Sequence, residues 1–234
     1  MAWYPLPEIL AVVQDAPDSA TGWARLRAVC DRHWPSPLWS ELPEVDPASD
    51  ATAAANWLRA QLRAARAARV AVHGLYLGLD TLNMDGPTGT NVEIGATGDV
   101  GPGQLSPAAE NIEWVLRLGW YGELHLISCL RAMKSVYARD EWQTLYDTAD
   151  YVLFLPYSGL VLADAAAKLR WPRRVVLVWG FHDGDLFRLG RGHRDGFERS
   201  VVAGEYSAEY LDAAREKARL LVEDFKRQNP RLFG

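Results

Sequence analysis

Apolar residues recur every three or four positions through most of the first third of the chain, which is the spacing of amphipathic helices. PEILAVVQ predicts a short helix. TGWARLRAVCDRHW places Trp23, Leu26, Val29, Cys30 and Trp34 on one helical face, and DATAAANWLRAQLRAARAA clusters Trp57, Leu58 and Leu62 on another. Between these two segments PSPLWSELPEVDPASD holds four prolines in sixteen residues, which reads as an irregular connection, with Ser49 or Asp50 capping the helix that follows.

Near Arg69 the pattern changes to that of strands. RVAVHGLYLGLD and TNVEIGAT form a hairpin around the long loop TLNMDGPTG, with Gly74 and Gly78 on one face of the first strand. GDVGPGQLSPAAEN is irregular, and IEWVLRLGWYG fits strand or helix equally. From Gly122 a helix is expected with Leu126, Ile127, Leu130, Met133 and Tyr137 along one stripe, followed by a shorter helix over DEWQTLYDTAD. YVLFL is expected as a strand, followed by a turn and a helix over LVLADAAAKLRW that ends before Pro172. RRVVLVWGFH and DLFRLG then flank Asp183-Gly184, a strong hairpin signal, and FERSVV adds a third strand after a second Asp-Gly pair. A long helix from a capping Ser207 to Pro230 ends the pattern.

The elements together predict an α+β protein: an N-terminal helical region, then a largely antiparallel sheet of about five strands covered by helices. The division is residues 1–66 and 67–234, or one continuous domain, since the prolines do not mark a boundary between them.

Composition narrows the functional classes. A charge of -5 and a pI near 5.6 oppose general affinity for phosphate backbones, so no nucleic acid is expected, although a local basic patch stays open. No charge block exceeds what a solvated helix face carries. No secretory signal and no membrane-spanning run is apparent, and the two cysteines, Cys30 and Cys129, fit reduced thiols in the cytoplasm. Ten tryptophans read as core and boundary residues, or alternatively as an aromatic recognition face.

The densest chemistry lies in WGFHDGDLFRLGRGHRDGF, residues 179–197. A two-residue Asp183-Gly184 turn pairs His182 with Asp185 on the face of Val178, Phe187 and Leu189, and sets Trp179 opposite Arg188. The turn alone explains that proximity. The sharper readings make His182 and Asp185 metal ligands completed by His193 or Asp195, or a base and its orienting carboxylate. Consecutive hairpin turns lie at opposite ends of a meander, which weighs against the metal, and no metal or other cofactor is expected. TLNMDG misses the first and last ligands of a calcium loop, leaving Asp80, Asp85 and Glu93 as an acidic loop mouth. PYSGL lacks the glycines that let Ser158 act on a nucleophile elbow, and a helix cap explains that serine as well. GRGHRDG has the wrong spacing for a dinucleotide fingerprint. His125 and Cys129, four apart on the expected helix, read as core, and His33 and His73 have no partner by spacing.

The leading expectation is a non-catalytic cytoplasmic protein of the inhibitor type (immunity-like) that binds another protein, through residues such as His182, Asp185, Trp179, Arg188 and Asp80. The alternative is a hydrolase built on the His182/Asp185 pair and acidic groups after Leu79, possible with or without a metal.

Overall fold

In the computed structural model, residues 6–33, 35, 37–42, 44–69, 71–80, 91–97, 114–115, 124–138, 150–171, 173–181 and 186–203 are described. The chain begins with four helices, α1 (Leu6–Asp15), α2 (Ser19–His33), α3 (Leu38–Glu41) and α4 (Pro47–Ala67). The apolar spacing holds in each long one: Ile9 and Val13, then Trp23, Leu26, Val29 and Cys30, then Ala54, Leu58 and Ala65 are buried. The proline-rich connection is not wholly irregular, because its LWSE core forms α3 and buries Trp39.

The cap of α4 differs from expectation. Asp46, not Ser49 or Asp50, accepts the Ser49 N–H at 2.9 Å, and Pro47 follows at the first turn. Proline tolerates that position because its missing N–H has no helical partner there. Asp50 is thereby free to face inward.

Seven strands form one sheet: β1 (Gly74–Asp80), β2 (Asn91–Thr97), β3 (Trp114–Val115), β4 (Leu124–His125), β5 (Val175–Phe181), β6 (Leu186–His193) and β7 (Gly196–Ala203). The order is β3-β2-β1-β5-β6-β7, and β4 pairs with β2 beside β3. The β1–β2 hairpin and the β5–β6–β7 meander are antiparallel as the patterning predicts. At the centre β1 and β5 run parallel, with Leu75 opposite Leu177 and Leu79 opposite Phe181. A parallel pair needs a long crossover, and the helical segments between these strands lie within it. Both central strands are apolar along nearly their whole length and buried on both faces.

Two further expectations fail between β2 and β5. The stretch from Gly122 is not one helix: Leu124–His125 is strand β4, and α5 (Ile127–Tyr137) starts after Leu126. The buried stripe of α5 is Cys129, Ala132, Met133 and Val136, while Ile127 is exposed. YVLFL is not a strand either. Asp150–Phe154 is a π-helical turn that runs directly into α6 (Leu155–Ala167), with Pro156 in its first turn. An all-apolar run of that length is equally suited to a helix buried all round, and α6 is such a helix.

α6 lies where helices and sheet meet. An added Cβ on Gly159 would stand 2.9 Å from the Trp179 ring and 3.1 Å from Val13, so only glycine lets α6 approach β5 and α1 this closely. Tyr157 meets Trp23 of α2 edge-on at 5.5 Å. Residues of the N-terminal helices, such as Ile9, Leu26 and Leu58, belong to the same core cluster as Leu77 and Trp179. Among the described residues no helix is long and apolar enough to cross a membrane. The expected helix over 207–230 lies outside the described residues.

Candidate functional site

His182 and Asp185 also lie outside the described residues, but the strands that lead to them do not. A two-residue Asp183-Gly184 turn requires Gly180 opposite Phe187. Instead Gly180 pairs with Leu186, and Trp179 with Phe187. The reason is a β-bulge: Leu177 pairs with Gly190 but Val178 pairs with Arg188, so Leu189 is an extra residue that shifts the register by one. The expected Trp179–Arg188 pair is thereby broken.

Each partner has a structural role instead. The Trp179 ring is wholly buried, 5.2 Å from Phe187, and its indole N–H donates to the Leu155 carbonyl at 3.2 Å. It presents nothing to a ligand. Arg188 donates through Nε to the Ser200 carbonyl and through Nη2 to the Ser200 hydroxyl, at 3.1 and 2.9 Å, tying β6 to β7. Of the other tryptophans whose side chains are described, Trp23, Trp39 and Trp171 are buried and Trp57 is half-buried, so no aromatic face forms among the described residues.

Other candidates separate. His193 and Asp195 flank the β6–β7 turn, with their nearest side-chain atoms 4.0 Å apart. That turn is at the far end of β6 from Leu186, roughly 23 Å away along an eight-residue strand. His125 is exposed on β4 and Cys129 is buried on α5, so they share no helical face. Ser158 sits within α6, its hydroxyl donating to the Leu155 carbonyl at 2.8 Å, which makes it neither an elbow nor a cap. His33 Nε2 lies 2.7 Å from the Glu8 carboxylate. No group of three His, Cys, Asp or Glu that could hold a metal occurs among the described residues.

Asp80 closes β1 opposite Asn91, which in turn is opposite His125. These three positions make one row across the sheet and share a face.

Among the described residues one carboxylate is deeply buried, and patterning had offered it only as a helix cap. Asp50, on the inner face of α4, accepts the Tyr157 hydroxyl at 2.9 Å and the Ser128 N–H at 3.3 Å. It thus caps α5 from another helix, and Asp46 N–H returns a bond to the Ser128 hydroxyl at 3.2 Å. Burial raises the Asp50 pKa above its ordinary value, while the Tyr157 hydroxyl and the Ser128 and Cys129 amides work against that rise. Burial, with Cys129 and Asp50 nearby, also raises the Tyr157 pKa. This network anchors the start of α4 to α5 and α6. A second anchor is Arg199 of β7, which donates to the Val13 carbonyl at 2.9 Å and to that of Ala16, and pairs with Asp164 at 3.6 Å.

With α4 held in this way, its second half builds a feature that patterning along the chain missed. Arg59, Arg63 and Arg66 follow at helical spacing on one face. They line a groove of about 870 Å³ with Arg69 of the next turn, Lys168 and Arg170 beyond α6, and Arg173 before β5. Leu62, Ala71, Val72, Leu169 and Val175 also line it, and no acid does so among the described residues. None of the seven cations meets a carboxylate among the described residues; Arg59 donates to Asn56 and Arg173 to His73. Cations near helix C-termini are favoured by the helix dipole, which accounts for Arg66 and Lys168 but not for Arg59 or Arg63. Neighbouring like charges oppose folding, by about 0.2–0.5 kcal/mol for each i,i+3 or i,i+4 pair.

Arg69 adds strain. It follows the last turn of α4 with φ of +60°, its N–H donating to the Arg66 carbonyl at 3.0 Å. Glycine is the usual residue in that left-handed position. No protein-family model, no curated protein and no solved structure matches this chain.

Proposed function

We propose that this chain is a non-catalytic binding protein, and that its docking site is the arginine-lined groove beside the C-terminal half of α4. One observation carries the reading: seven cations without carboxylate partners among the described residues surround one groove on a chain of net charge -5. An anionic partner supplies the missing counter-charges, and arginine forks hold carboxylates or phosphates in paired hydrogen bonds. Binding, not turnover, is supported because the described residues of the lining include no acid, histidine, cysteine or hydroxyl to move a proton or attack a substrate.

The test is fluorescence anisotropy with labelled polyglutamate and inorganic polyphosphate, on the wild type and on Arg63→Glu/Arg66→Glu. At least one probe binds the wild type, more weakly as salt rises, and at least tenfold more weakly to the variant. If neither binds, or the variant binds as well as the wild type, the groove is not a docking site.

A hydrolase remains the second reading, favoured by the neighbouring ends of β1 and β5, where Leu79 opposes Phe181 and Asp80 follows. Parallel strands often present ligand sites beyond their carboxyl ends. A hydrolytic activity of the full chain that is abolished by Asp80→Asn would establish it and displace the non-catalytic reading.

A further inference from the structure

We infer that the occupant of the groove is an acidic protein segment with apolar side chains between its carboxylates, not a phosphate polymer. This rests on the groove being a docking site, as proposed above.

The floor carries the inference. Leu62 and Val72 are half-buried and pack against the main core, with Leu169 and Val175 buried beside them. The groove therefore offers a ring of cations around an apolar strip. A phosphate backbone has nothing apolar to place on that strip, whereas alternating acidic and apolar side chains match both parts. Aromatic rings for stacking bases are absent from the described residues of the lining, and stacking platforms are what single-stranded nucleic acids use.

The length of the cation row bounds the motif as well. Arg59 to Arg66 spans about 10 Å of helix axis, the reach of about three extended residues. The motif recognised is accordingly short.

Arg69 belongs to the same design. An L-residue is held in a left-handed conformation where glycine has no penalty, and strain of this kind clusters at binding sites. Its guanidinium stands at the groove, where glycine would contribute no charge.

The discriminating experiment compares four labelled probes on the full chain: a hexapeptide of alternating glutamate and leucine, an all-glutamate hexapeptide, polyphosphate and a short DNA duplex. The alternating peptide binds at least tenfold more tightly than the other three. Val72→Ser or Leu62→Gln removes that advantage while leaving affinity for the all-glutamate peptide within twofold, and a circular dichroism melt confirms that either variant is folded. Tighter binding of polyphosphate or duplex overturns the inference and leaves the docking site standing, as does an alternating peptide no better than the all-glutamate one. Failure of all four probes to bind overturns the docking site itself.

Discussion

Replacing Arg69 by glycine separates stability from binding. The residue sits at φ +60° just past α4, after Ala68 N–H has donated to the Ala64 carbonyl at 2.9 Å. An L-residue in this conformation carries about 1–2 kcal/mol of steric penalty. Glycine removes that penalty but loses about 0.5–1 kcal/mol more through its freer unfolded chain. Relief of the Arg66–Arg69 repulsion adds about 0.2–0.5 kcal/mol. The net expectation is a gain between about 0.2 and about 2 kcal/mol, with its middle at about 1 kcal/mol, or a Tm higher by roughly 2–4 °C at that middle value for a chain of this size. Differential scanning calorimetry and urea melts measure it. Arg69→Lys, which keeps charge and strain together, leaves Tm unchanged. Affinity for an acidic peptide falls in the glycine variant, so the more stable protein is the poorer binder. A glycine variant no more stable than the wild type would refute the assignment of strain, and undiminished affinity would refute the role given to the cation.

Three further outcomes follow from the packing and the buried acid. Asp50 has a raised folded pKa, so its favourable contribution is present below the unfolded value near 3.8 and is lost as pH rises through the folded value. The Tm of Asp50→Asn relative to the wild type should therefore rise between pH 4 and pH 7; a difference independent of pH would contradict the burial effect. Gly159→Val forces a side chain into the Trp179 ring and Val13 and lowers stability by about 1–3 kcal/mol in a urea melt, whereas an unchanged midpoint would mean that α6 is free to retreat. Trp179→Ala destabilises by about 3–5 kcal/mol while leaving a still-folded fraction able to bind polyglutamate, which distinguishes a core ring from a docking one.

How far the chain could be read depended on where the information lay. Local periodicity was enough for α1, α2 and α4 and for the β5–β6–β7 meander, because each depends on residues a few positions apart. It did not reveal the bulge at Leu189, since an extra residue is invisible until two strands are paired, and that single residue removed the Trp179–Arg188 contact. YVLFL carried no period, so the same apolar residues suited a strand or a buried helical segment. Ser49 and Asp50 looked like caps, but Asp46 before Pro47 had the better geometry, which turned Asp50 into a buried partner of Tyr157. The groove was missed for a different reason. Its cations come from residues 59–69, 168–170 and 173, and each segment alone resembles a solvated face. One signal was available: residues 51–79 contain four arginines and no acid in a chain with thirty acids, so the α4 arginines have no i,i+4 partners.

The central claim is that an acidic segment lies on the strip between α4 and the start of β1. Photo-crosslinking locates it directly: an alternating glutamate and leucine peptide carrying a diazirine in place of one leucine is bound, irradiated and mapped by peptide mass spectrometry. Attachment should concentrate at Leu62, Val72 and the residues beside them, and disappear with excess unlabelled peptide. Competable attachment elsewhere, or labelling spread over the surface, would contradict it.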